Sequence, residues 1–124
     1  MATVSFNGEL QSIVSIEDFG SALDRFDQIA QFELWLSVPG GASIAMLRNG
    51  PHAFLMYLRF SGDAGFASRG EAEKSGETSY TLSNGQVDSY PLSWSIELDS
   101  CYQALAYFFV NDGAKPDWIK WAKS

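Results

Sequence analysis

Apolar residues first recur at helical spacing at Phe19, Ala22, Leu23, Phe26, Ile29 and Ala30, which predicts a helix over residues 16–29 with one apolar face. Ser15 stands where an N-cap hydroxyl is wanted. Glu17 and Asp18 follow in the first turn, where the helix dipole favours carboxylates. Asp24, Arg25, Asp27 and Gln28 fall on the opposite, solvated face. Ahead of this helix, residues 3–6 alternate as a short strand, and Asn7-Gly8 is a pair suited to turning it back. That turn would set Val4 and Phe6 against Gln11 and Glu9, a mismatched pairing for a regular hairpin.

The pattern then changes to a period of two. Phe32, Leu34, Leu36 and Val38 point one way, with Glu33, Trp35 and Ser37 between them, and Pro39-Gly40-Gly41 breaks the run. Residues 42–48 resume an extended pattern. Residues 53–60 are apolar on both faces, as expected of a central strand covered on both sides. Pro51 has no N–H, so Asn49-Gly50-Pro51-His52 is expected to form a four-residue loop rather than a two-residue turn. Asn84-Gly85 predicts a type I′ hairpin that puts Leu82 opposite Val87. Residues 61–77, rich in glycine and acid, allow a short strand at 65–68 and otherwise read as a mobile loop, of a length that is often functional.

A second helix is expected over residues 100–111, capped by Asp99 or Ser100, with Ser100 and Gln103 matching a capping box and Gly113 ending it. It is apolar nearly all round, so the sheet or a partner must cover it. For the tail, Pro116 opening a short helix and an extended segment lying on the sheet both fit. The expected fold class is α+β: one domain over residues 1–124, an antiparallel sheet of about six strands packed with two main helices.

Composition narrows the function. Hydrophobic residues make up 46% of 124, enough for a core. Eight basic against fifteen acidic residues give a net charge of −7, which argues against a groove-reading nucleic-acid binder. No apolar run approaches the roughly 18 residues of a membrane span. Met1-Ala2-Thr3-Val4-Ser5 lacks the basic-then-apolar pattern of a secretion signal, and the single Cys101 permits no internal disulfide. A cytoplasmic protein is expected.

Candidate chemistry is sparse. His52 is the only histidine and is expected as an exposed turn residue, since one His and one Cys build no zinc site. Cys101, in the first turn of an apolar helix, reads as a structural thiol rather than a nucleophile. No phosphate loop and no nucleophile elbow occur. Glu71, Glu73 and Glu77 stand where nothing holds two carboxylates at a fixed separation, so they read as a solvated loop or as a contact for a basic partner. Trp35 and Trp94 are expected in the core or on the sheet face. Trp118 and Trp121 fit either a cap on the core or an interface. No catalytic residue, metal ligand or cofactor is expected.

Tyr80-Thr81-Leu82-Ser83-Asn84-Gly85-Gln86, Tyr90-Pro91 and Ile96-Glu97-Leu98-Asp99 lead into a helix carrying Ala104, Tyr107 and Phe108; Gly113, Pro116 and Trp121 follow. Over residues 78–121 the chain resembles the first-numbered family of immunity proteins from bacterial polymorphic toxin systems. That resemblance implies a non-enzymatic inhibitor of a cognate toxin, often one resembling a nucleic-acid deaminase and in some cases a nuclease. Such a toxin needs a basic cleft, which an acidic partner fills with fast, steered association. The expected partner-binding residues, read from charge and position, are Asp63, Glu71, Glu73, Glu77 and Asp88, with Tyr90 and Trp94 as aromatic anchors. Direct contact with nucleic acid or a membrane is not expected. Two other classes fit the residues: an acidic mimic of nucleic acid that inhibits a host nuclease, and a small ligand-binding domain with its pocket between sheet and helix.

Overall fold

Asn7 and Gly8 both take positive φ, 50° and 83°, the pair of angles that a type I′ turn requires. A computed structural model, describing residues 2–124, places this turn between β1 (Thr3–Phe6) and β2 (Glu9–Gln11). Val4 pairs with Gln11 and Phe6 with Glu9, the mismatched register the turn implied. It is tolerated because β2 is an edge strand whose residues are mostly exposed. The Asn7 side chain and backbone extend the ladder to Glu33 of the next strand.

The chain is α+β, with two helices, an antiparallel sheet of seven strands in the order β2-β1-β3-β4-β5-β6-β9, and a separate two-stranded ribbon, β7-β8. The sheet's remaining strands are β3 (Gln31–Ser37), β4 (Ser43–Asn49), β5 (His52–Leu58), β6 (Phe66–Ser68) and β9 (Trp121–Lys123). The ribbon is β7 (Glu77–Thr81) with β8 (Val87–Pro91). The short strand foreseen near residues 65–68 is β6, and the tail is extended at its end, as β9 against β6.

The first face of the sheet carries the main core. Leu34, Leu36, Ile44, Met46 and Leu55 are completely buried there beneath α1 (Ile16–Phe26) and α2 (Leu98–Val110). Phe19 of α1 stacks on Phe109 of α2 at 4.8 Å. On the second face, Leu47 and Phe54 form a smaller core with Tyr80 of the ribbon, joined by Met56, Leu82, Tyr90 and Trp94. β5 is thus covered on both faces, as its doubly apolar sequence required.

Register places Leu10, Ser5, Trp35, Ala45, Met56, Ala67 and Ala122 side by side in one row that crosses the whole sheet on this second face. Thr3, Ser37, Ser43 and Leu58 form the next row.

Several boundaries differ from the sequence expectation. α1 stops at Phe26 rather than 29, leaving Ile29 44% exposed. Arg48 on β4 donates to the backbone oxygens of Asp27 and Ile29 and to the Asp27 carboxylate, which draws the chain out of the helix. Ser15 caps α1 as expected, accepting from the Asp18 amide at 3.1 Å.

α2 begins at Leu98, two residues earlier than expected. Glu97 is its N-cap residue, with no side-chain cap bond, so the Ser100–Gln103 capping box does not form. The start is set from outside the helix: the Ile96 amide donates to Ala53 O, and Ser95 Oγ accepts from the Ala53 amide.

Asn49 pairs directly with His52, so Gly50-Pro51 makes a two-residue turn after all. Its closing pair uses the groups of Asn49 and His52, and the N–H that Pro51 lacks is not among them. His52 is therefore a half-buried strand residue, not an exposed turn residue.

The later hairpin is shifted by one residue. Thr81 faces Val87, and the Leu82 amide donates to Gln86 O, leaving the three-residue loop Ser83-Asn84-Gly85. Among these only Gly85 has positive φ, 87°, whereas a type I′ turn needs two such residues. Because side chains alternate, the shift turns Leu82 toward the second core and leaves Val87 60% exposed.

Gly20 lies exposed inside α1, and a methyl group added there meets nothing within 4 Å. Gly20→Ala is expected to stabilise the protein by about 0.5–1 kcal/mol, because alanine loses less backbone entropy in a helix. A rise in the urea midpoint at unchanged slope checks this.

Candidate partner-binding surface

Of the seven expected contact residues, the structure brings three together on and beside the ribbon. Tyr90 packs on Phe54 at 4.8 Å and stacks with Trp94 at 5.6 Å. Asp88 accepts from Gln86 Nε2 at 2.7 Å. Trp94 is in a 3-10 turn, Leu92–Trp94, half-buried beneath the Arg69 guanidinium at 4.5 Å. Tyr90 and Trp94 therefore help build the second core, and each leaves part of its ring at the surface.

Glu71 and Glu73 are exposed on the segment that links β6 to the ribbon, and Glu77, also exposed, is the first residue of β7. This segment is pinned at both ends. The Arg69 amide donates to Lys120 O, the Gly70 amide to Ser93 O, and the Leu92 amide to Gly76 O. Glu71 and Glu73 are thus carried on a tethered loop with fixed ends.

Asp63 stands apart, past the far end of β5 from this loop. Its carboxylate accepts from Arg59 Nε, Arg59 Nη2 and the Arg59 amide, and its side chain is 4% exposed. The Arg59 guanidinium, and after it the backbone amides, hold the Asp63 carboxyl well below the usual carboxylate range. Asp63 closes the turn after β5, and its oxygens are already occupied.

Sequence reasoning missed Glu33. Burial opposes its ionisation, but bonds from Trp35 Nε1 at 3.0 Å, the Ser83 amide at 3.0 Å and Ser83 Oγ at 2.8 Å outweigh that and lower its pKa. Glu33 ties the ribbon loop to the sheet and fixes the Trp35 indole. The one sequence signal was its place two residues before Trp35 on the non-core side of the strand.

Both depressed carboxyls give stability that is present above their ordinary values, 4.5 for Glu33 and 3.8 for Asp63, and lost as pH falls through the lower folded values. Stability is expected to decline below about pH 4.5, and Glu33→Gln to decline less steeply over that range, as urea midpoints at pH 7, 5 and 3 will show.

An open cleft of 890 Å³ lies beside the loop, lined in part by His52, Arg69, Glu71, Glu73, Lys74 and Lys120. It sits at the start of β5 and α2, not between helix and sheet, where the core fills the space. Among the described residues no group of three His, Cys, Asp or Glu side chains is placed to hold a metal ion. Cys101 is fully buried, and burial pushes its thiol pKa far up, which suppresses the thiolate. Among the described residues no helix is long and apolar enough to cross a membrane.

The sequence matches no protein-family model and no curated protein. The functional reading therefore rests on the residues themselves. Among the described residues only two ion pairs form, Arg48 with Asp27 at 3.0 Å and Arg59 with Asp63 at 2.9 Å. Asp27 and Asp63 are neutralised this way. Glu71, Glu73 and Glu77 pair with no cation among the described residues and face solvent beside the ribbon.

Proposed function

We propose that this chain is a non-enzymatic immunity protein, which binds and neutralises a cognate bacterial toxin that acts on nucleic acid as a deaminase or nuclease. It acts in the cytoplasm, beside the toxin's targets, and itself contacts neither nucleic acid nor membrane. The observation that carries this reading is the set of solvent-facing carboxylates, Glu71 and Glu73 on the tethered loop and Glu77 at the start of the aromatic ribbon. A phosphate-binding cleft is basic, and an acidic surface of this kind steers encounter with it. The resemblance of residues 78–121 to the immunity family points the same way.

The test uses the full chain, tagged, as bait in its source cells, with washes at low and high salt. The captured domain is then expressed alone in a laboratory bacterium, and again with this chain. The expected result is killing by the domain and survival on co-expression. The triple variant Glu71→Ala, Glu73→Ala, Glu77→Ala is expected to slow association about tenfold or more at low salt and to flatten its salt dependence. Capture of a host nuclease with no toxicity of its own moves the assignment to a nucleic-acid mimic. Capture of nothing, or of a domain this chain fails to neutralise, overturns the immunity reading.

A further inference from the structure

The two helices cover the same face of the sheet, and their outward sides differ. On α1 the exposed positions include Glu17, Ser21 and Asp24, the polar side chains that a solvated helix face normally carries. On α2 no residue from Ser100 to Asn111 is charged. Its outward side runs through Gln103, Ala106, Tyr107 and Val110, spaced so that they are neighbours on one stripe. Gln103 and Val110 are exposed, and Ala106 and Tyr107 are half-buried.

The stripe continues into the segments on either side. Trp118 meets the Tyr107 ring edge-on at 5.0 Å and is itself 48% exposed. Val110 is 59% exposed and lines a hollow of 390 Å³ with Ile16 and Phe109. Tyr107, Val110 and Trp118 belong to neither core, so burial within the fold does not account for them. Contiguous exposed apolar side chains mark interaction sites, and tryptophan and tyrosine are the side chains that most often carry the energy there.

The border of the stripe is acidic. Glu17 and Asp24 on α1, Glu97 and Asp99 at the start of α2, and Asp117 beside Trp118 are all exposed. Unlike Glu33 and Asp63, none of them is taken up by a neighbouring side chain among the described residues. Glu97 also lines the open cleft with Glu71 and Glu73, so one end of the stripe runs on into the acidic loop. The cations of this region are engaged or turned elsewhere. Lys115 Nζ sits over the Phe66 ring at 4.1 Å. Arg25 falls on the flank of α1 away from α2, because Ile16 and Asp27 are the residues turned toward that helix. Arg69, Lys74 and Lys120 line the cleft beyond Glu97.

We propose that the outward stripe of α2, from Gln103 to Val110 with Trp118, is the docking surface for a basic protein domain. That domain lays an apolar side chain between Trp118 and Val110 and brings lysine or arginine to Asp99, Asp117 and Glu17. A second copy of this chain, also at −7, would bring like charges to the same border. The proposal rests on the reading of the chain as the antidote of a basic toxin, and adds where that toxin sits: the acidic loop steers it and the stripe holds it.

The probe is the toxic domain recovered in the rescue experiment, purified in a catalytically dead form, with binding to the full chain measured by calorimetry. Trp118→Ala is expected to weaken binding about thirtyfold or more. Since that variant also strips the Tyr107 ring of its neighbour, a second pair keeps the test clean. Gln103 is exposed, and glutamine, lysine and glutamate are comparable helix formers. Gln103→Lys is expected to weaken binding at least about tenfold, and Gln103→Glu to leave it equal or tighter, with thermal melts confirming that both fold. Tighter binding by Gln103→Lys than by Gln103→Glu overturns the basic occupant. So does a dimer of the chain alone, seen by light scattering, that Trp118→Ala dissociates, because the stripe then belongs to a second copy. Binding by Trp118→Ala and Gln103→Lys within about twofold of the parent, with rescue intact, overturns the stripe and leaves the immunity reading standing. Failure to recover any toxic domain overturns both.

Discussion

Phe54→Ala is expected to destabilise the protein by about 3–5 kcal/mol, a large share of the stability of any domain this size. Phe54 is fully buried at the middle of the second core, with ring centroids of Tyr90 at 4.8 Å, Tyr80 at 5.1 Å and Trp94 at 5.7 Å. Truncation removes one partner from each of these three contacts and leaves a cavity that the rigid sheet below cannot close. The loss is not spread evenly. The ribbon is held to the sheet mainly by this cluster, with polar ties from Glu33 to Ser83 and from Asn49 Nδ2 to Ser79 O at 2.8 Å. Amides of β7 and β8 are therefore expected to lose hydrogen-exchange protection before those of β3 and β4. Phe54→Leu, which keeps most of the volume, is expected to lose less of both. Uniform loss of protection across the chain would show that the ribbon and sheet unfold as one unit.

Gly70→Ala is expected to cost about 3 kcal/mol, at or above the upper end for forcing an extra methyl group into a packed site. The added Cβ would run into Ser95 O, a backbone atom with no rotamer to escape into. Something must move, and what moves is the segment before α2. Gly70 donates to Ser93 O, Ser68 Oγ to Trp94 O at 3.0 Å, and Ile96 to Ala53 O at 2.8 Å, so these bonds share one displacement. Chemical denaturation reads the cost. The same substitution at Gly20, where the methyl meets nothing, is expected to have the opposite sign. If Gly70→Ala matched Gly20→Ala, the close approach of the two segments would be wrong.

How much of this was legible in the sequence varies with the range of the interaction that decides each feature. The Asn7-Gly8 turn and its odd register were readable, because two adjacent residues with positive φ leave one pairing. The Ser15 cap was readable for the same reason: acceptor and donor are three residues apart. The Asn84-Gly85 hairpin was readable as a hairpin but not in register. Glu33, 50 residues away in sequence from Ser83, holds the loop, and the second core takes Leu82. Among the candidate contacts, the exposure of Glu71, Glu73 and Glu77 followed from their composition. The capture of Asp63 by Arg59, four residues earlier, was within reach of a local reading but needed the turn geometry to be seen. Glu33 as the tie between ribbon and sheet was not legible, since its partner Ser83 lies 50 residues further along the chain.

Local spacing and charge by themselves determined that this is an acidic α+β chain, where its two helices and the inner β-strands lie, that β5 is covered twice, and that Cys101 is structural. The tertiary structure decided where α1 stops and α2 starts, which way the ribbon's side chains face, and which carboxylates stay solvent-facing. The division is physical: periodicity reports which face of an element is apolar, through contacts within a turn or a tight loop, whereas ends, registers and uncovered faces are set by hydrogen bonds and packing between segments tens of residues apart.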